Sequence, residues 1–135
     1  MYLPLPLLNL MRGLAALAAL AWMGLIFYWS SFPAGRMPMH FPWEDKLYHA
    51  VAFGILAIFY LAAMRPGEQG LERRQALLAG VLAGLYGLTD EYHQSFVPTR
   101  VMDFYDMLAD LFGGVLFAYG AWIFMRSWYR ARLSR

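Results

Sequence analysis

Long apolar blocks, each close to 20 residues, dominate this chain and set what it can fold into. Gly13–Ser31 reads GLAALAALAWMGLIFYWSS, and Lys46–Met64 reads KLYHAVAFGILAIFYLAAM. Ala76–Gln94 reads ALLAGVLAGLYGLTDEYHQ, and Asp103–Met125 reads DFYDMLADLFGGVLFAYGAWIFM. A bilayer-spanning helix needs about 20 predominantly apolar residues. Inside hydrocarbon, only helices and closed barrels satisfy every backbone polar group. Blocks of this length are helical, so the sequence predicts an all-α polytopic membrane protein, a bundle of four transmembrane helices over about 13–31, 46–64, 76–94 and 103–125. Between them lie a loop with three prolines after Ser31, a Pro-Gly turn after Arg65, and SFVPTRVM after Gln94. No repeat or composition shift divides the chain, so one domain over 1–135 is expected. The first block is longer than the apolar core of a signal peptide and lacks a clear small-residue cleavage site after it.

Composition agrees. Hydrophobic residues make up 61% and charged residues 15%, against roughly 45–50% and 25% in ordinary soluble domains. The absence of cysteine excludes a disulfide framework, a thiolate metal site and a cysteine nucleophile. With a net charge of only +2, no nucleic acid partner is expected. The bilayer itself is the expected partner, and oligomeric state is left open.

Orientation follows from the distribution of Lys and Arg. Four spans would place Arg12, Arg65, Arg73, Arg74 and Arg126 on the same side as the tail arginines Arg130, Arg132 and Arg135, against Arg36, Lys46 and Arg100 on the other. Eight against three makes the first side cytoplasmic, with both termini there. The acids divide the opposite way. Only Glu68 and Glu72 fall inside, while Glu44, Asp45, Asp90, Glu91, Asp103, Asp106 and Asp110 gather at the outer end.

Helical spacing then groups the outer residues. Asp45 and His49 share a face, as do Asp90 and His93, with Glu91 and Gln94 on the neighbouring stripe. Asp103, Asp106 and Asp110 follow i, i+3, i+7 and lie on one side of their helix. Asp103 and Glu44 suit the water interface, and the aromatics suit membrane belts and packing. Ionisable groups within a span each cost about 2.5–3.5 kcal/mol near the bilayer centre and turn to the bundle interior, to one another or to water. Three helix ends are therefore expected to close around a shallow outer cavity that brings His49, Glu91 and Asp106 within mutual reach.

At these residues the chain resembles the VanZ-like family of small bacterial membrane proteins. The matching stretches are DKLYHAVAFGILAIFYL and YGLTDEYHQSFVPTRVMDFYDMLADLFGGVLF. They place Asp45, Lys46 and His49 in a first motif. Asp90, Glu91, Gln94, Phe96, Val97, Pro98 and Arg100 form a second, and Asp106, Asp110 and Gly113 a third. Phe117 departs from the pattern, standing where the family's last glycine falls. The match covers roughly residues 45–117. The resemblance implies the bacterial cytoplasmic membrane and a link to glycopeptide resistance of the teicoplanin type, without supplying a mechanism.

Two readings from different classes follow. In the first, the outer site hydrolyses, or transfers a group from, an envelope lipid or lipid-linked wall precursor. Glu91, His49 and Asp106 are then the catalytic candidates, with Lys46, Gln94, Arg100 and Asp45 holding substrate. No cofactor is fixed by the sequence. The imidazoles and carboxylates of His49, Glu91, His93, Asp106 and Asp110 suit zinc or manganese, although no H-E-x-x-H motif is present. In the second reading the chain binds a lipid head group or drug without chemistry. Transport of a proton or small cation fits less well, because four helices are few and no inverted repeat is visible.

Overall fold

The computed structural model describes residues 4–34, 39–64, 66 and 70–133, with side chains given as far as Ser127. Arg36, Arg65, Glu68 and Arg135 of the charge distribution lie outside the described residues. The chain forms four helices, α1 (Leu5–Ser30), α2 (Glu44–Ala63), α3 (Arg73–Gln94) and α4 (Phe104–Leu133). Among the described residues there is no strand. The bounds of α2 and α3 lie within three residues of the sequence expectation, while α1 and α4 are longer. Helix α1 starts eight residues before Gly13, with Pro6 in its first turn, where a missing N–H removes no intrahelical bond. Helix α4 continues to Leu133 because RSWYRARL is helix-compatible, although it is not apolar.

Helices α1, α2 and α4 (as far as Ser127) are long and apolar enough to cross a membrane. Helix α3 is not, so three of the four expected spans meet that measure. Its 22 residues are enough in length, at about 1.5 Å per residue, but Arg73 and Arg74 at one end and Thr89–Gln94 at the other dilute its apolar centre. At its start, Glu72 and Gln75 form a reciprocal capping box, satisfying two of the donors a helix N-terminus leaves open.

The helices run up-down-up-down. Trp22 of α1 donates its indole N–H to the Ala52 carbonyl of α2 at 2.9 Å, and Arg12 donates to the Ala63 carbonyl at 3.2 Å. Helices α2 and α4 are parallel and approach through glycines. A Cβ on Gly113 would fall on the Ala50 backbone, and one on Gly54 would meet the Phe117 ring at 2.6 Å. The family's missing glycine is thus replaced by an aromatic ring seated over a glycine of the facing helix. Helices α3 and α4 are antiparallel, with Gly80 against Val115, Gly84 against Leu111 and Gly87 against Asp110. Such small-residue contacts drive helix association where water is absent. Trp122 closes the far end by donating to the Leu71 carbonyl at 2.8 Å. Most large apolar side chains of α1 are exposed, including Leu14, Leu17 and Leu20, as a lipid-facing helix requires.

Candidate functional site at one pole of the bundle

The end of α1, the start of α2, the end of α3 and the start of α4 meet at one pole, where the ionisable residues form two layers. The outer layer centres on Lys46. Its ammonium lies 2.8 Å from Asp45, 2.7 Å from Asp103 and 2.7 Å from Asp106. Asp103 lies outside the helices, and its carboxyl is held below the ordinary value by Lys46 and then by the Tyr105 backbone N–H. An ammonium has three donors, and all three directions already face carboxylates. Lys46 is therefore the internal countercharge of the acid cluster.

One helical turn deeper, Gly113 and Ala50 bring α2 and α4 together at His49 and Asp110. His49 Nδ1 is 2.9 Å from Asp110 Oδ1. Its other ring nitrogen, Nε2, faces Glu91 Oε1 at 3.9 Å and Asp106 Oδ2 at 3.8 Å. Both separations exceed hydrogen-bond length. Glu91 and Asp110 are completely buried, and the His49 side chain is 15% exposed. The absence of a side chain at Gly87 lets the Asp110 carboxylate press against α3. Asp110 Oδ2 is buried with no hydrogen-bond partner. His49, Glu91 and Asp110 each offer one ligand atom, all within 4.8 Å of one another, a grouping that fits a metal ion.

Glu91 also links helices. Its Oε2 accepts the Asp103 backbone N–H at 2.9 Å, at the entry to α4, and its Oε1 accepts from Gln94 Nε2 at 3.1 Å. Gln94 donates to Asp90 as well, at 2.9 Å, and accepts from Arg100 at 2.8 Å. Arg100 Nε donates to the Phe32 carbonyl at 2.7 Å. The guanidinium thus ties α1 to the α3–α4 loop. Two of its donors, Nε and one terminal nitrogen, serve the protein. Gln94 is likewise committed to the network.

The sequence placed Asp90 and His93 on one stripe, and they do share a face. That face turns to α1. Asp90 accepts from the Ser30 hydroxyl at 2.6 Å, His93 Nε2 lies 3.0 Å from Ser31 Oγ, and its ring rests against Phe27 at 4.3 Å between centroids. His93 is therefore a contact residue between α1 and α3 and stands apart from the His49, Glu91 and Asp110 group. Sequence reasoning missed Ser30 and Ser31. The available signal was a Ser-Ser pair closing an apolar block at the same pole as Asp90. It also missed Tyr48, whose hydroxyl donates to Glu44 at 2.5 Å, a carboxylate that accepts the His40 backbone N–H at 2.6 Å as well.

No curated protein and no solved structure shows significant similarity to this chain. The VanZ/LLP1 family model matches residues 15–126, which takes in α1 from its third turn through most of α4 and every residue of the two-layered pole; the chain belongs to that family.

Proposed function

We propose that the chain acts in the bacterial cytoplasmic membrane on the polar head of an envelope lipid or lipid-linked wall precursor, by hydrolysis or group transfer at the His49 pole. The observation that carries this reading is the presentation of His49. Asp110 holds Nδ1 and fixes the ring, as an orienting carboxylate does in catalytic dyads, and Nε2 is left facing two carboxylates across gaps of 3.9 and 3.8 Å. A gap of that kind takes a water or an ion between the groups. His49, Glu91 and Asp106 are the reacting groups in this reading. Glu91 or His49 accepts the proton of an attacking water, and Asp45 at the rim contacts the head group. The family's link to teicoplanin-type resistance is consistent with chemistry on wall precursors. Purified protein in vesicles of bacterial phospholipid and polyprenyl-phosphate-linked lipid should release a head-group product detectable by mass spectrometry. Retention of lipid without product, by protein of normal fold, would favour the binding reading instead.

The site opens on the extracytoplasmic face in this proposal, and both termini are cytoplasmic. The excess of Lys and Arg at the opposite pole supports this orientation, and α3, if it crosses antiparallel to α2 and α4, brings the crossings to an even number and both termini to one side. A reporter that is active only outside the cytoplasm should stay silent when fused after Arg135. Activity there would turn the site inward and move its substrate to the cytoplasmic leaflet.

A further inference from the structure

We infer that His49, Glu91 and Asp110 bind a divalent transition-metal cation, of the zinc or manganese type, at the floor of the site. The inference deepens the proposed chemistry by naming the cofactor: with the ion bound, His49 and Glu91 serve as ligands and Asp106, whose Oδ2 faces His49 at 3.8 Å, is the carboxylate left to take the proton of water; it rests on binding geometry rather than on turnover. Three helices each contribute one ligand, and the three ligand atoms lie within 4.8 Å of one another. Metal–ligand distances of about 2.0–2.2 Å are reached from there by side-chain shifts of about 1 Å or less. A mixed imidazole and carboxylate set suits zinc or manganese better than calcium or magnesium, which prefer oxygen alone.

The second, independent observation is Asp110 Oδ2, an oxygen of a completely buried side chain with no hydrogen-bond partner. An unpaired buried acceptor is costly, and more so when charged. The nearby cations do not relieve it. Lys46 is committed to Asp45, Asp103 and Asp106, and Arg100 to Phe32 and Gln94. Glu91 and Asp110 are left with His49 alone. Even a protonated His49 balances only one of these two carboxylates, whereas a divalent ion balances both and leaves the imidazole neutral, the form that ligates. The same ion answers a difficulty at the mouth of the site. An anionic head group would otherwise meet a cluster of carboxylates whose lysine is already engaged, and a metal at the floor gives it a positive partner.

The test uses the full chain in detergent, stripped by chelator, reloaded with Zn²⁺ or Mn²⁺ alone, desalted and assayed by elemental mass spectrometry. One equivalent per chain is expected. Asp110→Asn and Glu91→Gln should weaken binding by about 10–100-fold or more, the range seen when even supporting groups of a metal site are changed. His93→Gln, against Phe27 and Ser31, should bind as the unaltered chain does. Cobalt(II) loaded into the unaltered protein should give d–d absorption that zinc abolishes, a readout that needs no variant to fold. Absence of retained metal and of a cobalt spectrum overturns the inference, as does equal binding by folded Asp110→Asn. A stoichiometric ion with no lipid turnover would keep the metal site and sink the enzymatic reading.

Discussion

Glu91→Gln is expected to lower lipid turnover by about 100-fold or more, the loss typical when a general base is removed, while the protein still inserts and accumulates. Glu91 is the completely buried carboxylate that faces His49 Nε2 at 3.9 Å. Glutamine has nearly the same shape but neither charge nor basicity, so it can neither take a proton nor ligate a cation well. The substitution also touches structure. Glu91 accepts from Gln94 on one oxygen and from the Asp103 backbone on the other, and glutamine keeps a single acceptor. Loss of one such bond costs about 0.5–1.5 kcal/mol, or up to about 3 kcal/mol where the acceptor is charged. Turnover must therefore be normalised to folded protein in the membrane, with thermal stability measured beside it. A purely structural role would lower abundance and stability and leave turnover per folded molecule unchanged. Full turnover per molecule in Glu91→Gln removes Glu91 from both proton transfer and ligation.

How far such a site can be read from sequence depends on which geometry the helix period encodes. The period places Asp90 with His93 and Glu91 with Gln94, and the structure keeps both pairings. It does not encode the rotation of α3 about its own axis. That rotation turns Asp90 and His93 to Ser30 and Ser31 of α1 and sends Glu91 inward. The sequence put His49 and Asp110 at the same end of the bundle without pairing them, and they meet at 2.9 Å. The partners of Lys46 and Arg100 were not legible, because a basic side chain in a motif reads as a substrate contact until its neighbours are known. Phe117 reads as a departure from the family pattern in one helix. Only the facing helix, with Gly54 beneath the ring, shows why the bundle accommodates it.

Gly113→Val should be the most damaging single substitution away from the ionisable groups. The side chain it adds would start inside the Ala50 backbone, where a Cβ meets the α-carbon and carbonyl of α2. Overpacking of this kind typically costs about 1–3 kcal/mol and occasionally more, and here the obstacle is backbone rather than a side chain able to rotate. Gly54→Ala is the instructive contrast, since its added methyl meets the Phe117 ring, which has a rotatable bond. Gly120→Ala meets nothing within 4 Å and should be silent. The effect of Gly113→Val should reach the site as well as the fold. Ala50 follows His49 in α2, and Gly113 lies one turn from Asp110 in α4, so forcing the helices apart there separates the pair now 2.9 Å apart. The expected result is a lower midpoint for heat-induced loss of monodisperse protein in detergent, together with loss of turnover in the fraction that remains folded. Gly54→Ala should fall between Gly113→Val and Gly120→Ala. A Gly113→Val protein as stable and active as the unaltered chain would mean that α2 and α4 do not approach at this point, and the His49–Asp110 contact would lose its structural basis.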